Sequence, residues 1–216
     1  YTGVQWACEN GANVVSMSYG SENSSNAMQD LIYAYPEVVF IAAAGNDSSS
    51  TQNYPAAYQN VIGVGSVDSN DLRSSFSNYN VGFPWVDIAA PGGYSYGGLL
   101  STVYTESLNG YARFGGTSMA TPFAAGLVGL MLSVNPSLTP IQIQNCLVNS
   151  GVDINQNIGP RIDAYQALLC VQPENDNPIP AFTASPQVTF ENQSVIFSNN
   201  SVNGTNLSLI HISEPT

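Results

Sequence analysis

Two short motifs hold the side chains best suited to chemistry in this sequence. Ser118 lies in Gly-Gly-Thr-Ser-Met-Ala-Thr-Pro, directly before an apolar helical pattern, and Asn46 ends Ala-Ala-Ala-Gly-Asn, directly after an apolar strand pattern. A serine at a loop-to-helix junction is close to free backbone N–H groups, which favour negative charge developing on a bound carbonyl. The motifs therefore indicate an acyl-transfer site with Ser118 as nucleophile. In the simpler interpretation, Ser118 caps a helix and Asn46 forms a turn.

The elements around these motifs predict an α/β domain. Apolar strand patterns cover residues 13–17, 38–42 and 61–67, and a further strand ends at residues 88–92. Helical patterns occupy residues 4–10 and 26–35, and two more helices are expected to open at Thr121-Pro122 and at Thr139-Pro140. Short apolar strands separated by helices imply a parallel sheet covered on both faces, which is a three-layer architecture.

Composition argues against several classes of partner. Of the 216 residues, 44% are hydrophobic, which suffices for one sizeable core and a small appendage. Three Lys and Arg residues stand against fifteen Asp and Glu residues, so a formal net charge of -12 gives no electrostatic basis for binding nucleic acid or anionic membranes. We expect no transmembrane segment. We also expect no metal site, because the acidic loops lack the alternating oxygen ligands of a calcium loop.

The motifs resemble those of subtilisin-like serine proteases. Gly-Thr-Ser-Met-Ala-Thr-Pro resembles the nucleophile signature of that family, and Ala-Ala-Ala-Gly-Asn resembles its oxyanion-asparagine signature, in the family's order. The segments WACENGANVVSMSYGS, YPAAYQNVIGVGSVD and FSNYNVGFPWVDIAAPG also resemble family segments. The resemblance covers residues 1–171 and implies the C-terminal part of a subtilisin-like peptidase domain, truncated at its N-terminus.

The resemblance also implies roles for individual residues. Ser118 would attack the scissile carbonyl, while Asn46 and the Ser118 backbone N–H would hold the oxyanion. Seven further residues would contact an extended peptide substrate, and one of them, Asn53, would lie at the floor of the primary specificity pocket. These substrate-binding residues are Ser18, Tyr19, Gly20, Ala43, Ala44, Gly45 and Asn53. Residues 18–20 could instead form an ordinary turn.

The family's catalytic Asp and His are not among the motifs of this chain. The single histidine, His211, lies in a terminal segment to which we assign no function, so both groups are expected to precede Tyr1 in a longer protein. A serine without a base is a weak nucleophile, and we expect this chain alone to be inactive. No cofactor is expected in it, although calcium could bind to the preceding part.

Three rival functions remain open in principle. A degenerate, non-catalytic homologue would use the cleft only to bind extracellular ligands. An acid-active relative with Glu in place of His is disfavoured, because that class resembles this one but places Asp where this chain has Asn46. An adhesion protein built from the tail modules is the third. We expect a peptide or protein substrate and secretion from a bacterium, while the oligomeric state stays unknown.

Three cysteines permit one internal disulfide. Cys146 and Cys170 are the candidate pair because both lie near the ends of apolar helical patterns, which leaves Cys8 unpaired. Such a bridge would add about 3 kcal/mol. Alternatively, all three cysteines are buried apolar side chains.

A composition shift near residue 171 divides the chain. Residues 172–180 are rich in Pro, Asn and acids, as linkers are, and residues 181–208 show alternating patterns that predict β-hairpins. The words NPIPAFTASP and SVIFSNNS resemble the opening of a PKD-type β-sandwich module, so this tail is expected to be a partial β-sandwich. Residues 209–216 break the strand pattern and are expected to be non-native.

Overall fold

The computed structural model describes residues 1–93, 97–104 and 109–172, together with the backbone of two short strands in the tail. The chain divides into two compact units, Tyr1–Gln172 and Pro173–Thr216. The first unit contains the candidate chemistry. In the second unit, the strands Phe182–Ser185 and Ile196–Asn199 pair antiparallel. Residues 173–180 of the predicted linker and the predicted non-native segment lie outside the described residues, and the PKD-like module stays a prediction.

Four parallel strands form the central sheet of the first unit. They are β1 (Val14–Met17), β2 (Val39–Ala43), β3 (Val61–Val67) and β4 (Ile88–Pro91), in the spatial order β1-β2-β3-β4. Every residue of β2 and β3 is buried, as expected for strands covered on both faces. The prediction of a parallel sheet is confirmed, and the bounds of β3 are those predicted.

Helices cover both faces of this sheet. On one face, α1 (Thr2–Glu9) and α2 (Asn26–Ala34) pack against alternate strand residues such as Phe40 and Ala42. On the other, α3 (Thr117–Val134), α4 (Pro140–Ser150) and α5 (Ala164–Cys170) pack against the intervening residues, such as Val39 and Ile41. The period-two alternation of a strand thus divides β2 between two cores, which confirms the three-layer prediction.

The start of α3 differs from the prediction. The helix begins at Thr117, four residues before the predicted opening at Thr121-Pro122, so Ser118 lies in the first helical turn and Pro122 lies inside the helix. Proline removes the N–H that would bond the carbonyl four residues earlier, which is that of Ser118. The hydroxyl of Ser18 supplies the missing donor at 2.9 Å, and this bond from another element lets the helix tolerate the proline.

By length and apolar composition α3 could also cross a membrane, contrary to the prediction that no segment reaches that length. However, α3 packs against all four strands of the sheet, which is the position of a core helix.

An antiparallel hairpin precedes α3. Its strands are β5 (Leu99–Tyr104) and β6 (Asn109–Phe114), and most of their described side chains are partly or fully exposed. This hairpin was not predicted, because a ribbon with little burial has no strong hydrophobic pattern. The available signal was the run of β-branched and aromatic residues in each strand.

The predicted opening of α4 is confirmed. Thr139 is its N-cap and Pro140 its first residue, and Gln142 completes a capping box. The structure also brings the candidate cysteine pair together as a disulfide between α4 and the end of α5, with Cα atoms of Cys146 and Cys170 5.8 Å apart. Cys8 is a buried free thiol in the described part of the chain.

Candidate active site

The two motifs meet at the carboxyl edge of the sheet. Because β1 and β2 are adjacent and parallel, the segments that follow them, residues 18–20 and 44–46, leave the sheet side by side. The N-terminus of α3 arrives at the same edge, and the Ser118 hydroxyl donates a 3.1 Å hydrogen bond to the Ser18 carbonyl. Such an edge is where ligands of open parallel sheets bind.

The first turn of α3 presents a free donor beside the Ser118 hydroxyl. The Thr117 N–H is bonded to the side chain of Asn46, and the Met119 N–H is bonded to the carbonyl of Gly116. The Ser118 N–H has no acceptor among the described residues. Since the first N–H groups of a helix point out of its end with partial positive charge, this donor is suited to an anion next to Ser118.

The amide of Asn46 is oriented by Thr117. Its Oδ1 accepts from the Thr117 N–H at 2.9 Å and from the Thr117 hydroxyl at 3.0 Å. The same hydroxyl accepts from the Gly45 N–H at 3.1 Å, which fixes the direction of its proton. With Oδ1 engaged twice, the Nδ2 of Asn46 is left to donate elsewhere. Sequence reasoning missed this role of Thr117, for which adjacency to Ser118 was the only signal.

The two free donors converge beside Gly116. The position that a Cβ on Gly116 would take lies 3.5 Å from Asn46 Nδ2 and 3.7 Å from Ser118 N. Both donors therefore border one small space beside Gly116, at the start of the helix that carries Ser118. This arrangement can hold the oxyanion of a tetrahedral acyl intermediate, because its negative charge would accept both N–H groups.

Asn78 supports the loop that carries Asn46. Its Oδ1 accepts from the N–H groups of Asp47 and Ser49 at 2.9 and 3.1 Å, and its Nδ2 donates to the Ala44 carbonyl at 3.0 Å. One buried side chain thus holds both sides of the loop after β2. Asn78 belongs to the family-like segment FSNYNVGFPWVDIAAPG, but that segment does not indicate this contact, because Asn78 lies 32 positions after Asn46.

A cleft of about 400 Å³ adjoins Ser118. Most of the residues predicted to bind substrate line it, and its walls also carry the carboxylates of Glu22 and Asp47. Two of the predicted residues do not line it. Ser18 lies beside the nucleophile, whereas the side chain of Ala44 is buried in the core and only its carbonyl takes part, as an acceptor. The predicted residues that line the cleft are Tyr19, Gly20, Ala43, Gly45, Asn46, Asn53 and Ser118.

One strongly perturbed carboxyl lies away from the cleft. Asp87 directly precedes β4, at the edge of the sheet opposite to Ser118, and burial raises its pKa to about 6. Hydrogen bonds from the Gly63 N–H at 2.7 Å and the Gln144 amide at 3.2 Å oppose this rise. Asp87 thus concerns stability rather than the chemistry at Ser118.

The Subtilase family model matches residues 1–177 of the chain. Alkaline elastase YaB of Bacillus sp. (strain YaB) is 40% identical over 154 residues, which are 70% of this chain and 38% of that protein. Thermitase of Thermoactinomyces vulgaris is 40% identical over 171 residues, 77% of this chain and 57% of that protein. The chain thus spans about half the length of the relatives that it matches.

Solved structures show the same likeness. A protease of Pseudoalteromonas arctica superposes with a TM-score of 0.69 at 30% identity, covering 76% of this chain and 52% of that one. The prenylagaramide maturation protease PagA gives the same TM-score at 26% identity, covering 79% of this chain and 66% of that one.

Proposed function

The chain belongs to the subtilase family, and we propose that it is the part of a secreted serine endopeptidase that carries the nucleophile and the oxyanion site. The observation that carries this proposal is the orientation of Asn46. Its Oδ1 is held by two bonds from Thr117, so its Nδ2 and the Ser118 N–H border the same space. A turn-forming asparagine would not need this double constraint.

The proposed reaction is acyl transfer through Ser118. A base removes the proton from the Ser118 hydroxyl as Oγ forms a bond to the scissile carbonyl carbon, and the carbonyl oxygen becomes an oxyanion. Asn46 Nδ2 and the Ser118 N–H donate to that oxyanion. Collapse of the intermediate breaks the C–N bond, and the amine leaves with the proton. Water then hydrolyses the ester on Ser118 and regenerates the hydroxyl.

The base and its orienting carboxylate are proposed to lie in sequence that precedes Tyr1. The relatives are about twice as long as the matched part, which supports this assignment. The outer face of α3 gives a second argument, since Phe123 and Leu130 are 51% and 53% exposed beside an apolar groove of about 470 Å³. Apolar surface of this extent on the nucleophile-bearing helix fits a face covered by further sequence of the same protein.

Export from a bacterium is the proposed location. The matched relatives are bacterial, and a disulfide such as Cys146–Cys170 persists in oxidising compartments. Asn46 also begins Asn46-Asp47-Ser48, which is formally an acceptor for N-glycosylation. A sugar on Asn46 Nδ2 would occupy the oxyanion site, so an active enzyme carries none there. Intact-mass analysis of the secreted protein tests this point.

A fluorophosphonate probe tests the proposed function. The complete secreted protein should be labelled at Ser118 at neutral pH, and Ser118→Ala should abolish labelling. The 216-residue chain alone should not be labelled, because the described residues place no histidine beside Ser118 to act as the base. A complete protein that binds peptides but never reacts would instead be the non-catalytic homologue.

A further inference from the structure

We infer that the side chain entering the cleft must be short, and that a short side chain carrying a hydrogen-bond donor binds better than an apolar one of the same shape. The inference rests on the proposed function and names the substrate class of that site. The residue on which it depends is Asn53, whose amide closes the space between the two walls of the cleft. Asn53 is only 7% exposed, so it forms part of the wall and is not a mobile rim.

The walls of the cleft leave no depth beyond Asn53. A Cβ added at Gly20, on one wall, would overlap the Asn53 amide, and a Cβ added at Gly45, on the other, would lie 2.7 Å from Asn53 Nδ2. The Asn53 amide thus touches both walls at positions where only glycine leaves room for it. A large ring entering between these walls would have to displace a buried side chain.

The segment that carries Asn53 is fixed to one wall. Ser21 and Tyr54 form an antiparallel bridge with two backbone hydrogen bonds of 2.8 Å, one on each side. The Asn53 carbonyl also accepts from the Ala57 N–H at 2.9 Å. Both flanks of Asn53 are therefore anchored, which makes the end of the cleft a rigid feature.

The orientation of the Asn53 amide determines what it offers to a substrate. Its Nδ2 donates to the Ala44 carbonyl at 3.3 Å, an acceptor that it shares with Asn78 Nδ2. A flipped amide would place Oδ1 against that carbonyl oxygen and lose the bond. No described residue donates a hydrogen bond to Oδ1. This oxygen is also not fully enclosed by protein atoms, so it keeps access to the cleft. The cleft therefore ends in an unused acceptor.

Charge in the cleft adds a second criterion. Glu22 and Asp47 line the cleft, and among its described lining residues none is cationic. Anionic side chains are thus disfavoured, while hydroxyl and amide side chains can donate to Asn53 Oδ1. An apolar side chain of equal size would cover Oδ1 without bonding it, which leaves a desolvated acceptor. Thr against Val and Asn against Leu are the matched pairs that isolate this effect.

The experiment measures peptide binding separately from turnover. In the full-length protein with Ser118→Ala, acetylated tetrapeptide amides that differ only in the C-terminal residue are titrated by calorimetry. We expect Thr to bind about tenfold better than Val, Asn about tenfold better than Leu, and Phe and Asp worst. Adding Asn53→Gly should raise the affinity for the Leu and Phe peptides by about tenfold. It should also bring the ratio of the affinities for the Thr and Val peptides near one.

Two further variants control this experiment. Asn155→Gly removes an exposed asparagine whose φ of 52° suits glycine, and it should leave all affinities unchanged. Should Asn53→Gly fail to fold, Asn53→Ser opens the same space with a smaller change, and Phe should still gain. The protein with Ser118 intact is then assayed for hydrolysis of longer peptides, in which the varied residue is followed by a further residue that leaves as the amine.

The outcomes separate the two proposals. The expected order of affinities without any hydrolysis would overturn the proposed function and keep the inference about Asn53. Tighter binding of Leu or Phe than of Asn, unchanged preferences in Asn53→Gly, or no measurable binding of any peptide would overturn the inference.

Discussion

Ser18 and Ser118 exchange two hydrogen bonds, each hydroxyl donating to the other residue's carbonyl, at 2.9 Å from Ser18 and 3.1 Å from Ser118. The pair links the segment after β1 to the first turn of α3. The bond to the Ser118 carbonyl exists because Pro122 has no N–H to donate four residues later. The position of the nucleophile therefore depends on a donor from another element.

A double-mutant cycle tests this dependence. Ser18→Ala should destabilise the protein by about 1 kcal/mol because the Ser118 carbonyl loses its donor. Pro122→Ala restores a backbone N–H, so it should stabilise the Ser18→Ala protein more than the wild type. We expect a coupling energy of about 0.5 kcal/mol or more from urea unfolding.

Ser133 provides the control for this cycle. Its hydroxyl also donates to a carbonyl of α3, that of Leu130, but no proline lies four residues after Leu130. Ser133→Ala and Pro122→Ala should therefore be additive. A cycle with no coupling between Ser18 and Pro122 would show that water serves the Ser118 carbonyl equally well.

Gly116 tests the position of the oxyanion site. Its backbone is extended, with φ 161° and ψ 159°, so alanine is tolerated without strain. The added methyl would lie 3.5 Å from Asn46 Nδ2 and 3.7 Å from Ser118 N and would crowd the oxyanion. In the complete enzyme we expect Gly116→Ala to lower kcat by about 10² or more, with little change in Tm.

Gly129→Ala is the matched substitution on α3. A Cβ at Gly129 meets nothing within 4 Å, and glycine inside a helix is less favourable than alanine by about 1 kcal/mol. This variant should keep its activity and gain stability. Full activity in Gly116→Ala would place the oxyanion away from Gly116.

The buried carboxyl of Asp87 predicts a pH-dependent stability. Burial raises its pKa from 3.8 to about 6 in the folded state, so the folded protein binds the proton more tightly than the unfolded chain. Stability should consequently fall as the pH rises from about 4 to 6, by about 3 kcal/mol at most, and stay constant above. Urea unfolding across this pH range measures the slope.

Asp87→Asn isolates that contribution. The amide oxygen can still accept from the Gly63 N–H without carrying charge, so the variant should be more stable than wild type at pH 7 and equal to it below pH 4. Asn155→Gly, at an exposed turn and without a titratable side chain, should keep the wild-type slope. Loss of stability in Asp87→Asn at pH 7 would mean that the carboxylate's hydrogen bonds outweigh its desolvation.

The disulfide between α4 and α5 predicts a stability difference of its own. It joins cysteines 24 positions apart, and replacing both Cys146 and Cys170 by Ala should cost about 3 kcal/mol. Non-reducing peptide mapping of the secreted protein should show the two peptides joined and Cys8 free. Two free thiols at these positions in exported protein would contradict the pairing.

The sequence predicted the sheet and its two helical layers because their signals are local. Strand β3 is a short segment rich in Val and Ile in which every residue is buried, and Thr139-Pro140 with Gln142 carries a complete helix start within four residues. In contrast, the predicted start of α3 was wrong. Proline is typical of the first turn of a helix, and the sequence does not show that a donor from another element can replace its missing N–H inside a helix. The replacement donor for the Ser118 carbonyl is the hydroxyl of Ser18, 100 positions away along the chain.

Within the candidate site, motifs identified the residues but not their supports. Ser118, Asn46, Thr117 and Asn78 all belong to family-like segments. Those segments do not indicate that Thr117 orients the Asn46 amide or that Asn78 holds its loop. No periodicity or spacing indicates such contacts, because each depends on how separate loops meet at one edge of the sheet. Only the family resemblance indicates that Asn53 lies at the pocket floor, and its position against Gly20 and Gly45 depends on how the two walls of the cleft pack.

The most direct test of the account is the turnover of the complete enzyme with Asn46→Ala and with Asn46→Asp. Asp keeps an oxygen for the two Thr117 donors but loses the Nδ2 donor, so it separates loop orientation from oxyanion binding. Both variants should lower kcat by about 10² to 10³ with KM nearly unchanged, the loss known for one oxyanion donor in subtilisin itself. A raised KM with unchanged kcat, or wild-type turnover in Asn46→Asp, would show that Asn46 does not bind the oxyanion.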